Sequence, residues 1–121
     1  MLTGVNHIQI TIPVGREQKA RLFYCNLLGL NEIEKPEVLK ANGGFWMQLG
    51  NIQIHVGTEN GVDRNRTKAH VAYEVRNIES WRKKLEAENI ETFNNQQIPG
   101  FNRFEFRDPF GNRVELIENL A

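Results

Sequence analysis

The sequence lacks the features that mark several large classes of protein. It has a single cysteine, Cys25, so it can hold neither a disulfide framework nor a cysteine-based zinc site, and we expect a cytoplasmic setting. Fifteen basic and fifteen acidic residues cancel, which leaves no broad charged surface for nucleic acid or an anionic membrane. No run approaches the roughly 18 apolar residues of a membrane span, and residues 1–6 do not resemble a secretory signal. We therefore expect a soluble protein whose partner is a small molecule.

The remaining composition is that of an ordinary folded domain. The 121 residues are 40% hydrophobic and 25% charged, so a buried core is available and disorder of the whole chain is excluded. Because domains typically span roughly 100 to 200 residues, this length predicts one domain over residues 1–121.

The first half of the chain has the pattern of a strand, a helix and a hairpin. Residues 5–12 alternate between apolar and polar side chains, which predicts a half-buried strand. Apolar residues at helical spacing over residues 16–28 predict an amphipathic helix, which Gly29 can end. The alternating segments 45–49 and 52–56 flank a two-residue turn and predict a β-hairpin.

The same order of elements returns in the second half. A polar, aperiodic stretch over residues 57–68 predicts a connecting loop. Residues 70–75 then alternate, residues 78–90 have helical spacing, and two strands flank the turn at 108–112.

The two halves can be overlaid as an internal repeat. His70 follows His7 by 63 positions, and Glu115 follows Gln53 by 62. A repeat of this kind predicts two similar modules, module one at about 1–57 and module two at about 69–121. The alternative is a chance similarity of two short strand and helix patterns.

Polar side chains gather on one face of the predicted strands. If the apolar residues of each strand pack on the helices, the opposite face carries all three histidines of the protein. The simplest interpretation is a solvated sheet face, but such a face is usually rich in lysine. Histidines and a carboxylate on one face are typical of a site for a borderline divalent metal such as Zn, Ni, Mn or Fe. The candidate ligands are His7, His70 and Glu115, joined by Gln53 or His55.

Four short motifs carry a resemblance to one known family. They are Asn6-His7-Ile8, Phe23-Tyr24 with Leu28-Gly29-Leu30, Ala69-His70-Val71-Ala72, and the run from Arg107 to Glu115. In order and spacing, they resemble the vicinal oxygen chelate superfamily, which includes glyoxalase I, bleomycin resistance proteins and extradiol dioxygenases. The resemblance implies an α+β fold, in which two βαβββ modules form a curved mixed sheet shaped as a cup. It also implies a homodimer.

The resemblance further implies a metal and its ligands. The ligand positions of the family fall on His7, His70 and Glu115, with Gln53 as the fourth ligand and His55 as its rival. In this family, a divalent metal binds adjacent oxygens of the substrate and stabilises an enolate or a similar oxyanion. Glyoxalase I has a glutamate, both ligand and base, at the position matched to Gln53. Because an amide accepts no proton near neutral pH, ordinary glyoxalase I activity is expected to be weak.

A proton acceptor must then come from another residue. The candidates are His55, Glu74 and Glu105, of which His55 is favoured because an imidazole ordinarily titrates near about 6.5. The alternative for His55 is a hydrogen bond to a neighbour across the hairpin. His55 and Glu115 are therefore the catalytic candidates.

Five residues are candidates for contact with the substrate. Alternation places Trp46 and Gln48 on the face of the ligands, and Arg103 and Arg107 on the matching face of their own strand. An arginine near a metal could bind a carboxylate or phosphate, or could belong to an exposed charged face. Gln9 stands where the similar fosfomycin thiol transferases have a threonine that binds substrate.

The favoured function is a metal-dependent lyase, isomerase or related enzyme that acts on a small substrate chelated through adjacent oxygens. The competing interpretation is a metal-free dimer that binds a drug, as bleomycin resistance proteins do, but the chain has no acidic excess to hold a cation. A third is a single-domain extradiol dioxygenase, which would use the same two histidines and carboxylate around Fe(II).

Overall fold

A half-buried strand and a short helix begin the first half of the chain. In the computed structural model, which describes residues 1–121, β1 spans His7–Ile12 and α1 spans Glu17–Arg21. The helix widens into a π-helical segment, Leu22–Leu27, where the Leu28 N–H donates to the Phe23 carbonyl at 2.9 Å. Gly29 follows with φ +86°, the left-handed conformation that ends many helices.

Three further strands complete the first sheet. They are β2 (Asn31–Ile33), β3 (Phe45–Leu49) and β4 (Ile52–Thr58), with a 3-10 segment at Glu37–Asn42. The strand order is β1-β4-β3-β2, in which β1 and β4 are parallel and the other pairs are antiparallel. These elements lie in a compact unit, Met1–Val62.

The second unit, Asp63–Ala121, has the same order of elements. After a 3-10 turn at Arg64–Arg66, the chain forms β5 and α2, and then three more strands. The strand order β5-β8-β7-β6 repeats the arrangement of the first sheet, including the parallel central pair β5 and β8. The bounds are β5 His70–Glu74, α2 Ile78–Ala87, β6 Phe93–Asn94, β7 Phe101–Arg107 and β8 Arg113–Asn119.

Each unit buries the apolar face that strand alternation predicts. The α+β class and the two βαβββ modules are confirmed. Neither α-helix, at 5 and 10 residues, is long and apolar enough to cross a membrane. The buried apolar residues include Ile12, Tyr24, Phe45, Met47, Ile54 and Val56 in the first unit, and Tyr73, Leu85, Phe104, Phe106, Val114 and Leu116 in the second.

The structure differs from the predicted boundaries at the ends of elements. The first helix keeps α-helical geometry only over Glu17–Arg21, and α2 ends at Ala87 rather than at residue 90. Asn89 takes a φ of +61° there, and the Ile90 N–H returns to the Leu85 carbonyl at 3.1 Å, so the helix cannot continue. Strand β4 runs to Thr58, into the stretch predicted as loop, because its partner β1 continues to Ile12.

The turn between β7 and β8 is built around one carboxylate. Asp108 is 4% exposed and accepts hydrogen bonds from the Phe110 and Asn112 backbone N–H groups at 2.9 and 2.8 Å. Its second oxygen accepts from the Asn112 side chain at 2.8 Å. Burial, together with the Asp108 carboxylate, raises the pKa of the Tyr73 hydroxyl above its usual range. This turn holds the hairpin that carries Arg103 and Glu115.

Candidate functional site

Three aromatic rings stack on the polar face of the first sheet. The register places His55 opposite Trp46 on β3 and beside Gln9 on β1. The ring centroids of Trp46 and His55 lie 3.8 Å apart at 4° between planes, and those of His7 and His55 lie 4.1 Å apart at 15°. The His55 ring therefore lies between the rings of Trp46 and His7, and His55 is only 5% exposed.

Hydrogen bonds orient both histidines of this stack. His7 Nδ1 lies 2.9 Å from Asn6 Oδ1, and His55 Nε2 lies 2.9 Å from Gln53 Oε1. Burial, followed by the charges of His7 and Lys35, lowers the pKa of His55. The neutral form of this imidazole is thereby favoured, which is the form that binds a metal or accepts a proton.

A cavity opens beside this stack within the first unit. Its volume is about 670 Å³, and no acidic side chain lines it. Lys35 is the one lysine or arginine in the lining. Other lining residues include Gln9, Leu39, Asn42, Gln53 and Thr58, in addition to the three stacked rings.

The second unit places a histidine against a buried carboxylate. His70 Nε2 lies 3.3 Å from Glu115 Oε1, and the Glu115 side chain is 3% exposed. His70 Nδ1 lies 2.9 Å from the Lys68 carbonyl oxygen, which can only accept, so Nδ1 carries the hydrogen of the neutral ring. The lone pair of neutral His70 is then on Nε2, the nitrogen that faces Glu115.

Arg103 supplies a fixed positive charge to the same carboxylate. Its Nη1 lies 3.3 Å from Glu115 Oε1, while Nε and Nη2 donate to the Gln96 carbonyl at 3.0 and 2.7 Å. The side chain is 17% exposed, so this ion pair is largely shielded from water. Arg103 therefore links the loop before β7 to Glu115.

The register of the two sheets identifies which residue of the first unit corresponds to Glu115. His7 lies beside Gln53, and His70 lies beside Arg113. Two residues further along β4 and β8 stand His55 and Glu115, which are 5% and 3% exposed. Gln53 and Arg113 are only half-buried. His55, and not Gln53, is therefore the structural counterpart of Glu115.

The nearly constant offset between the two halves of the sequence pairs Gln53 with Glu115 because it takes no account of a difference in length between the modules. His55 follows His7 by 48 residues, whereas Glu115 follows His70 by 45. The second module is thus three residues shorter between its histidine and the equivalent position of its last strand. Side-chain type alone does not reveal such a difference in length, whereas sheet register does.

The other predicted site residues fall into distinct groups. Gln9 and Trp46 line the cavity with Gln53. Gln48 instead donates to the Gly50 and Ile52 carbonyls at 2.8 and 3.2 Å and so holds the hairpin turn. Arg107 similarly donates to the Gly111 carbonyl at 3.0 Å. The remaining carboxylates differ in their contacts, since Glu105 forms an ion pair with Arg113 and Glu74 is exposed at the end of β5.

Sequence reasoning missed Lys35 and Asn6. Lys35 lies between β2 and β3 in a segment that has no regular period, so alternation could not assign it to a face. Asn6 precedes β1 and stands next to a predicted ligand, and a search for hydrogen-bond partners of the histidines could have found it.

A family model describes nearly the whole chain. The model of the glyoxalase/bleomycin resistance protein/dioxygenase superfamily matches residues 4–116. The chain belongs to this superfamily. The family resemblance carried by the four sequence motifs is thereby confirmed.

Solved structures share this fold over nearly the whole chain. A glyoxalase family protein of Bacillus anthracis is 40% identical, with 98% of this chain and 97% of that chain covered and a TM-score of 0.90. A lactoylglutathione lyase of Agrobacterium tumefaciens is 18% identical, with coverage of 98% and 95% and a TM-score of 0.74. A mutant of the fosfomycin resistance protein FosX of Listeria monocytogenes, complexed with Mn(II) and a dihydroxypropylphosphonic acid, is 18% identical, with coverage of 98% and 94% and a TM-score of 0.80. No curated protein matches the chain.

The donor set of this superfamily member suits a divalent metal. Each unit presents two side chains with nitrogen or oxygen donors on one sheet face, His7 with His55 and His70 with Glu115. His7 Nδ1 is hydrogen-bonded to the Asn6 side-chain oxygen, and His70 Nδ1 to the Lys68 carbonyl oxygen. Histidines that bind metals usually have such a hydrogen bond at the nitrogen that does not bind the metal. Two acceptors 3.3 Å apart, His70 Nε2 and Glu115 Oε1, need a shared proton or a shared cation.

Arg103 should stabilise the metal-free protein. We expect Arg103→Met to lower the free energy of unfolding by about 1–3 kcal/mol, because the buried Glu115 carboxylate loses its permanent cation. The exposed Arg66 provides the control, and Arg66→Met should change the free energy of unfolding by less than about 0.5 kcal/mol. Urea titrations monitored by circular dichroism measure both values. Equal values for the two variants would contradict this function of Arg103.

Proposed function

We propose that this protein is a metal-dependent enzyme of the glyoxalase superfamily, a lyase, isomerase or related enzyme that acts on a small substrate chelated through adjacent oxygens. The observation that carries the proposal is the pairing of donors on each sheet, His7 with His55 and His70 with Glu115. Family membership supports it, and so does the FosX mutant of Listeria monocytogenes, which has a similar fold and is complexed with Mn(II).

The residues present fit a borderline divalent ion, Zn, Ni, Mn or Fe. The proposed donors are His7 and His55 in the first unit and His70 and Glu115 in the second, with Gln53 as the alternative to His55. Such an ion supplies Lewis-acid stabilisation of an oxyanion that develops on the substrate. Asn6 and the Lys68 carbonyl keep the histidine rings oriented, and the burial of Glu115 keeps its carboxylate in place.

Proton transfer is proposed for His55. A neutral imidazole has one lone pair, so His55 can accept a proton from a molecule bound in the cavity only where Gln53, and not His55, is the metal ligand. Glu105 is less suited because Arg113 neutralises it. The expectation of weak glyoxalase I activity stays a prediction, since neither the Gln53 amide nor a metal-bound His55 imidazole can be both ligand and base.

Metal analysis tests this proposal. Protein loaded with Mn²⁺, Ni²⁺ or Zn²⁺ and then desalted is expected to keep about one ion per chain by elemental analysis. His7→Ala and Glu115→Ala should each lose most of it, because each removes a donor. Glu74→Gln changes an exposed carboxylate of the second sheet and should keep the wild-type content. Equal metal content in the wild type, His7→Ala and Glu115→Ala would end the proposal.

We further propose that the protein is a homodimer that binds a small molecule in the cytoplasm. The family resemblance supports the dimer, and so does the small core that each module of about 60 residues can build. Light scattering at micromolar concentration should report twice the 14.0 kDa mass of one chain. A mass of one chain would contradict it.

A metal-free binding protein is the second candidate, because the stack of Trp46, His55 and His7 offers an aromatic wall to a flat ligand. A cationic drug would meet the charge of Lys35 in the cavity, and no carboxylate of the lining would offset that repulsion. The metal analysis separates the two candidates, because a metal-free binding protein would show no bound metal in the wild type.

A further inference from the structure

Lys35 brings an unpaired positive charge to the cavity of the first unit. The side chain is half-buried, and its Nζ donates to the Gly43 carbonyl at 2.6 Å. No carboxylate pairs with it, whereas the nearby Lys40 lies 2.6 Å from Glu34 and 3.1 Å from Glu37. An ammonium group has three hydrogens, so Lys35 keeps donors for a further acceptor.

Gln9 adds a second polar group to the cavity. Its amide lies against Gly57, where a Cβ atom would come within 2.7 Å of Gln9 Nε2. The glycine therefore leaves space for this amide on the cavity wall, and the amide can donate or accept a hydrogen bond. With the Trp46 ring as an apolar wall, the cavity combines a cation, a neutral hydrogen-bonding group and an aromatic surface.

The balance of charges in this lining favours an anion. The only lysine or arginine is Lys35, and acidic side chains are absent from the lining. An anion placed beside Lys35 thus meets a full positive charge in partly desolvated surroundings, where ion pairing is stronger than at an open surface.

We propose that this cavity binds a small organic oxyanion, a carboxylate, phosphate or phosphonate, through Lys35, with the carbon skeleton of the ligand against the Trp46 ring. This proposal rests on the proposed function only where it identifies the bound oxyanion as the substrate of the enzyme. Binding itself requires Lys35 and not the metal.

Fluorescence of Trp46 can report this binding directly. Trp81 is the other tryptophan, so a Trp81→Phe background leaves Trp46 as the only indole. Metal-free protein is titrated with pyruvate and with methylphosphonate, and with the uncharged methyl pyruvate and dimethyl methylphosphonate as matched probes. Lys35→Met is compared with Lys40→Met, which removes a lysine that is already paired and lies outside the cavity lining. Thermal melts confirm that both variants are folded.

We expect at least one acid to quench Trp46, with its Kd raised about tenfold or more by Lys35→Met and unchanged by Lys40→Met. Its ester should bind weakly and equally to all variants. A response to pyruvate alone identifies a carboxylate, and a response to methylphosphonate alone identifies a phosphoryl or phosphonyl group. The absence of binding by both acids, or equal Kd values in Lys35→Met and Lys40→Met, would overturn the proposal.

Metal content measured on the same proteins keeps this result separate from the proposed function. Lys35→Met should retain the metal of the wild type, since Lys35 is not among the donors. If the wild type binds no metal and Lys35 still governs the affinity for the acid, the enzyme proposal fails and the oxyanion site stands. If the wild type binds metal and Lys35→Met does not change the affinity for the acid, the oxyanion site fails and the enzyme proposal stands.

Discussion

Replacement of His55 by phenylalanine is expected to weaken the binding of a divalent metal by more than about 100-fold, and Gln53→Ala by about tenfold or less. The physical reason is the sheet register, which makes His55 the counterpart of Glu115 and gives Gln53 only a hydrogen bond to His55. Phenylalanine keeps an aromatic ring between Trp46 and His7 but removes both ring nitrogens. Packing is thereby maintained while the donor is lost.

Calorimetric titration with Mn²⁺ or Zn²⁺ gives both affinities. Thermal unfolding without metal serves as the control, since similar midpoints for His55→Phe and Gln53→Ala would exclude a general loss of folding. If Gln53→Ala has the larger effect on metal affinity, Gln53 is the fourth ligand, and the correspondence between His55 and Glu115 has no functional meaning.

Gly44→Ala is expected to destabilise the protein by about 3–5 kcal/mol. Gly44 has a φ of +78°, and a Cβ atom on it would overlap the carbonyl oxygen of Val56 in β4. Backbone cannot move aside as a flexible side chain can, so β3 would separate from β4 at its first residue. The Gly44 N–H also donates to Glu17 Oε2 at 3.1 Å, a bond that this displacement would break.

Gly61 provides a matched control for the conformational part of this effect. Its φ is +80°, nearly that of Gly44, but nothing lies within 4 Å of a Cβ atom at this position. Gly61→Ala should therefore cost only the left-handed backbone strain, about 1–2 kcal/mol. Denaturant titrations measure both free energies of unfolding, and equal losses would show that the overlap with Val56 is relieved.

The faces of the strands could be predicted from the sequence because alternation has a fixed period of two residues. His7, His55, His70 and Glu115 all lie on the face opposite the apolar residues of their strands, as the apolar pattern required. Strands β2 and β6 have three and two residues, which is too short for a period to be detected. Only the family resemblance indicated that each module has four strands.

The detailed site could not be predicted because it depends on register and on irregular segments. A shift of two residues along β4 exchanges Gln53 for His55 without changing the face, so the pattern of apolar residues cannot distinguish them. Lys35 reaches the cavity from a connection whose only regular element is a 3-10 segment, Glu37–Asn42. Hydrogen bonds to backbone carbonyls, which engage Gln48 and Arg107, likewise leave no signal in residue type.

The shared register of the two sheets has a consequence for how the halves of this protein can change. Phe45 and Met47 in β3 occupy the places of Phe104 and Phe106 in β7, and all four are buried. Between these buried residues, on the opposite face of the sheet, Trp46 in the first half stands where the second half has Glu105. The polar face of either half can therefore carry an aromatic contact, as at Trp46, or an ionic one, as at Glu105, without any change in the residues that pack its core.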